Sequence, residues 1–100
     1  MARLVAIYGT PKDAAAFDKH YMETHIPLAK KIPGLRKFEV SRGPVTTAIG
    51  SLAAHLIATL HFDDMQAIQT ALTSPEGMAA AADAMKIGQV QVLLFDSHEV

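Results

Sequence analysis

The residues best suited to chemistry crowd into one stretch, Phe17 to Gly34, which reads FDKHYMETHIPLAKKIPG. It holds two imidazoles and a phenol (His20, Tyr21 and His25) and a helix stop, Pro27. Imidazole is the side chain whose ordinary charge change lies nearest neutrality, so it serves as a general acid or base. Ala14, Phe17, Tyr21, His25 and Leu28 recur at spacings of three and four, which places His25 on the apolar face of a helix, near its C-terminal end. The helix dipole there favours imidazolium, while burial favours the neutral ring. Two roles fit that position. His25 is either a catalytic proton carrier facing a pocket, or a cap that hydrogen-bonds the last carbonyls and orients the turn before Pro27. His20 lies five residues earlier, about 140° around an α-helix, so the two rings do not form an i, i+4 metal pair. No Asp or Glu stands at a ligand spacing to complete one, and no metal is expected.

The remaining candidates line a pocket in this reading. Tyr21 belongs to the core with its hydroxyl at the pocket rim, and Tyr8, ending a first strand, points to the same region. His55, Thr59 and His61 alternate along a later strand and share one of its faces, with His20 as a neighbour of lesser claim. His55 and His61 are six residues apart, roughly 20 Å along a strand, so they do not act on one atom. His61 either lines the cavity or sits at its solvent edge. Glu39 is the acid inside a central strand and is placed to orient a histidine.

The elements that must position these groups follow from punctuation and periodicity. Leu4 to Tyr8 is a short apolar run ending at Gly9, a first strand. Thr10-Pro11-Lys12-Asp13 opens a helix as a capping box, and Pro27 ends it near Thr24 or His25. Leu35 to Arg42 and Leu52 to Phe62 read as the second and third strands. Asp63 and Gln66 stand in capping-box register for a helix with Met65, Ile68 and Leu72 on its apolar stripe. Ser74-Pro75-Glu76 caps another helix, in which Met78, Ala81, Ala82 and Met85 share a face; Gly88 ends it and Gln89 to Phe95 is the last strand. The order βαββαβ predicts an α+β, ferredoxin-like fold: one four-stranded antiparallel sheet with the helices on one face, in a single domain over residues 1–100.

In that fold the last strand is apolar on both faces, with Val90, Val92 and Leu94 on one and Leu93 and Phe95 on the other. Such an open sheet face is adhesive, so a homodimer with paired sheets is expected, enclosing a largely apolar pocket for a small hydrophobic molecule. Composition narrows the partners. Half of the 100 residues are hydrophobic, 19% are charged and the net charge is −1, which gives no electrostatic footprint for nucleic acid. Basic residues nonetheless concentrate in the first half, eight against four acids, and the second half has one against six. Without cysteine there is no disulfide, thiolate metal site or Cys nucleophile. The apolar run at Leu4–Tyr8 is too short for a signal peptide and no run suits a membrane span, so a cytoplasmic protein is expected. Scattered glycines make no nucleotide loop, and the serines lack nucleophile-elbow context.

Phe17-Asp18-x-His20-Tyr21-x3-His25-x-Pro27-Leu28, then Ile32-Pro33-Gly34-Leu35, Leu60-His61-Phe62-Asp63-Asp64 and Ser74-Pro75-Glu76, resemble the EthD family of the dimeric α/β-barrel superfamily. The resemblance covers essentially the whole chain. It implies ferredoxin-like subunits whose sheets pair into a barrel across a dimer, a cavity in each, and chemistry mostly without metal or bound cofactor. His25 matches the motif histidine; His20 stands where other members have tyrosine; His55 and His61 lie outside the motif. The expected function is a small cofactor-independent oxidoreductase or lyase-type enzyme acting on a hydrophobic or aromatic compound in degradation or biosynthesis. The alternative is a non-catalytic accessory protein that binds a hydrophobic intermediate.

Overall fold

The computed structural model describes residues 1–100. Strands β1 (Ala2–Tyr8), β2 (Lys37–Val40), β3 (Leu56–Phe62) and β4 (Val90–Asp96) form one antiparallel sheet in the order β2-β3-β1-β4. Helices α1 (Ala14–His20), α2 (Ile26–Ala29), α3 (Met65–Thr73) and α4 (Pro75–Ile87) cover one face. This is the expected ferredoxin-like α+β arrangement.

Strict alternation builds the core. Ala2, Leu4, Ala6 and Tyr8 on β1 lie beside Leu56, Ala58, Leu60 and Phe62 on β3, and all eight are buried under the helices. Their neighbours, Arg3, Val5 and Ile7 on β1 and Ile57, Thr59 and His61 on β3, face the uncovered side. β4 adds Val92 and Leu94 to the helix-side face and Leu93 and Phe95 to the open one, and all four remain exposed. Two strands are shorter than the sequence predicts, since β2 lacks the ends of Leu35–Arg42 and β3 begins at Leu56, not Leu52, whereas β1 starts earlier, at Ala2. The chain from Ser41 to His55 pairs only at its two ends, Ser41 with Ile57 and His55 with Tyr8.

The first helix departs most from expectation. It does not stop near His25. A π-helical turn, Tyr21–His25, follows α1, and α2 carries the chain through Pro27 with Ile26 fully helical. An uninterrupted α-helix would drive the Pro27 ring into the carbonyl four residues back. The π turn, in which the Ile26 N–H reaches back five residues to the Tyr21 carbonyl, relieves that conflict by inserting one residue. The buried stripe accordingly runs at intervals of four, Phe17, Tyr21, His25 and Ala29, and Ala14 and Leu28 drop out of it.

Two helix caps fall later than the sequence predicts, by three residues from Thr10 to Asp13 and by one from Asp63 to Asp64. Asp13 itself caps α1, accepting from the Ala16 N–H, and Asp64 caps α3, accepting from the Ala67 N–H. That leaves Asp63 free for a two-pronged pair with Arg36. α4 also turns a different face inward: Gly77, Ala80 and Ala84 are buried, and Met78 and Met85 are exposed. Small residues win this face because α4 must approach α3 closely across the single linking residue Ser74, whose hydroxyl accepts from the Gly77 N–H. A Cβ on Gly77 would stand 1.8 Å from the Ala71 carbonyl oxygen. Gly77→Ala should therefore cost at least about 2 kcal/mol, read as a lower urea midpoint at unchanged slope.

Candidate functional site

His25 is 6% exposed, the sole polar residue in the buried class. Three elements meet at its ring. Tyr21, one π turn earlier, stacks on it with centroids 4.9 Å apart. Tyr8, at the end of β1, lies edge-on, and its hydroxyl is 3.5 Å from Nε2. Asp83, on α4, places Oδ2 2.9 Å from Nδ1. The same carboxylate's Oδ1 lies 2.8 Å from His20 Nε2. The two histidines therefore do converge, on one acid. In an α-helix their five-residue spacing would splay them, but the π turn brings residues five apart nearly into line.

Asp83 was not legible as a site residue because it is 58 residues from His25. A signal existed all the same. It is the only acid of α4 beyond the first turn, and it shares the inward face with Ala80, Ala84 and Ile87. An acid on an apolar face needs partners.

The electrostatics fix how protons are arranged. Burial is the largest influence on Asp83 and opposes its charge, but the hydrogen bonds from His20 and His25, with the charge they carry when protonated, outweigh it and hold the carboxyl below its usual range. An ionised carboxylate only accepts, so His25 must present Nδ1–H to it and His20 must present Nε2–H. Neutral His25 then carries its lone pair on Nε2. At 3.5 Å the Tyr8 hydroxyl holds that lone pair weakly. Burial, and secondarily the Asp83 charge, push Tyr8 up to about 12, so it stays a neutral phenol.

Tyr8, Tyr21 and His25 line a cavity of about 70 Å³ between the sheet and helices. Its other walls are apolar, with Leu4, Ala58 and Leu60 from the sheet and Ala80 and Ala84 from α4. Exposed Ala81 and Val92 mark its mouth.

The remaining predicted pocket residues lie elsewhere. His55 precedes β3 and turns toward α1, bonding Asp18 at 2.7 Å and meeting the edge of the Phe17 ring. It does not share the sheet face of Thr59 and His61, because the strand alternation starts only at Leu56. Thr59 and His61 are on the open face, behind the sheet from His25. His61 bonds Glu39 across the β2–β3 pair at 2.9 Å, so the acid does orient a histidine. That hydrogen bond, followed by the charge of Lys37, lowers the Glu39 carboxyl below its usual range.

The model of the EthD domain matches residues 10–87, a span that contains His20, His25 and Asp83. The chain belongs to the EthD family. It is similar to an uncharacterised 11.0 kDa protein from the thcB–thcC intergenic region of Rhodococcus erythropolis, 36% identical with 100% of this chain and 98% of that protein covered. An EthD-family protein from Bacillus halodurans has a similar crystal structure, with TM-score 0.89 and 37% identity over 98% of this chain and 99% of that one. SnoaB, a cofactor-independent oxygenase from Streptomyces nogalater, shares the fold at TM-score 0.69 and 14% identity, with coverage of 99% of this chain and 94% of that one. In this EthD chain, no group of three or more His, Cys, Asp or Glu side chains is arranged to hold a metal ion, and no helix is long and apolar enough to cross a membrane.

The buried groups set a stability window. The Asp83 carboxyl titrates lower in the folded protein than its ordinary 3.8, so its contribution is present above that pH and is lost as pH falls through the folded value. Tyr8 is raised from 10.0 to about 12, so its contribution is complete below pH 10 and is lost as pH rises toward 12. Thermal melts from pH 2 to 12 should therefore show a plateau flanked by two declines. Asp83→Asn should reduce the acid decline, and Tyr8→Phe should reduce the alkaline one, to which the buried Tyr21 phenol also contributes.

Proposed function

We propose that this chain is a cofactor-independent enzyme of the oxidoreductase or lyase type, in which His25 removes a proton from a small hydrophobic or aromatic compound held in the cavity. The observation that carries this reading is the Asp83–His25 hydrogen bond of 2.9 Å. A carboxylate on Nδ1 leaves Nε2 basic and stabilises the imidazolium that forms when it accepts a proton, the division of labour found in catalytic triads. The apolar walls supply a dry setting in which the resulting charge is felt strongly. Capture of the carbanion by molecular oxygen would make the overall reaction an oxidation, and expulsion of a leaving group would make it a lyase reaction. His20 is a positioning residue: it holds the second oxygen of Asp83 and so fixes the carboxylate's orientation toward His25.

The working unit in this reading is a homodimer. On the open face, Leu93 and Phe95 are 51% and 43% exposed and continue into Val5 and Ile7 on β1. An apolar sheet face of this kind is stable in water when a second copy covers it. Sedimentation equilibrium should give a dimer for the parent chain and a monomer for Leu93→Glu.

Proton removal can be detected without the natural substrate. Incubated in D2O with enolisable aromatic ketones, the protein should exchange the proton next to the carbonyl. His25→Gln should lose about 100-fold or more of that exchange, and Asp83→Asn should lose a large part of it while still folding. If His25→Gln exchanges as fast as the parent chain, His25 is not the base.

A further inference from the structure

Tyr21 is fully buried, and its hydroxyl is the one buried side-chain nitrogen or oxygen with no hydrogen-bond partner. Native interiors seldom keep such a group without a use for it. The ring is already well seated. It stacks on His25 at 4.9 Å and on Phe17 at 5.9 Å, and meets Tyr8 edge-to-face at 5.5 Å. Phenylalanine would make all of these contacts, so packing alone does not explain the oxygen. Tyr21 lines the same cavity as His25 and Tyr8, whose other walls offer almost nothing polar. Burial first, and the nearby Tyr8 second, hold its phenol well above the ordinary range, so it is an O–H donor at any working pH.

We propose that Tyr21 anchors the ligand by donating to a carbonyl oxygen, and that the site therefore takes small apolar or aromatic ketones with an acidic hydrogen beside the carbonyl. The proposal rests on the cavity being a ligand site and names the group by which the ligand is recognised. The stacking of Tyr21 on His25 puts donor and base side by side. When the base removes a proton from the carbon next to the carbonyl, negative charge appears on the oxygen, where a preorganised donor stabilises it most. The cavity, about 70 Å³, is smaller than the roughly 150 Å³ that admits benzene. The carbonyl end fits inside, and a ring would extend through the mouth at Ala81 and Val92.

Acetophenone and α-methylstyrene test the idea, since they share a shape and differ in C=O against C=CH2. Binding of each is measured by NMR titration in the parent chain, Tyr21→Phe and His25→Gln. The affinity ratio of ketone to hydrocarbon should fall about tenfold in Tyr21→Phe and persist in His25→Gln. Any loss of proton exchange in His25→Gln then bears on the base and not on the anchor. Without ligand, Tyr21→Phe should keep its Tm or raise it, because it deletes a hydroxyl that bonds nothing in the protein. An unchanged ratio in Tyr21→Phe would overturn the proposal. So would a failure of both compounds to bind the parent chain, or a fall of several degrees in Tm on losing the hydroxyl.

Discussion

One carboxylate ties the helical layer together. Asp83 accepts from His20 through one oxygen and from His25 through the other, and is itself only 11% exposed. An ionised acid in that setting is tolerated because both oxygens are served by donors. The arrangement places demands on the rest of the chain. His20 and His25 reach the same acid only because the helix widens by one residue between them, and that widening also lets Pro27 sit inside a continuing helix. α4 brings Asp83 close enough only because Gly77, Ala80 and Ala84 leave room on its inward face.

The sheet then divides the molecule into two sides with different tasks. Toward the helices, Tyr8 extends the core of β1 to the edge of the imidazole, and the small residues Ala6 and Ala58 keep the cavity from filling. Away from the helices, the Glu39–His61 pair lies at the β2 side of the sheet and the apolar surface centred on β4 at the other edge. His61 and Thr59 belong to that second side. The β-strand period of two puts them there, behind the sheet from His25.

Much of this could be read from the chain alone. Strand alternation in Leu56–Phe62, the Ser74-Pro75 start of α4 and the His25-x-Pro27 motif identified the fold and singled out His25. Three features escaped for separate physical reasons. The π turn escaped because Pro27 ordinarily signals a stop, and a local rule does not foresee that one inserted residue cures the clash. The inward face of α4 was assigned to Met78 and Met85 because methionine is apolar, whereas close helix approach rewards alanine and glycine over bulk. Asp83 escaped because its partners are on another helix, and pairing across the fold leaves no spacing pattern in the sequence.

Asp83 fixes His25 as the tautomer with hydrogen on Nδ1 and a basic Nε2. Long-range ¹H–¹⁵N correlation spectra of the imidazoles read this directly. With His25 neutral, the parent chain should show a protonated Nδ1 and a lone-pair shift on Nε2, and Asp83→Asn should lose that preference. A neutral His25 carrying its hydrogen on Nε2 in the parent chain would contradict it.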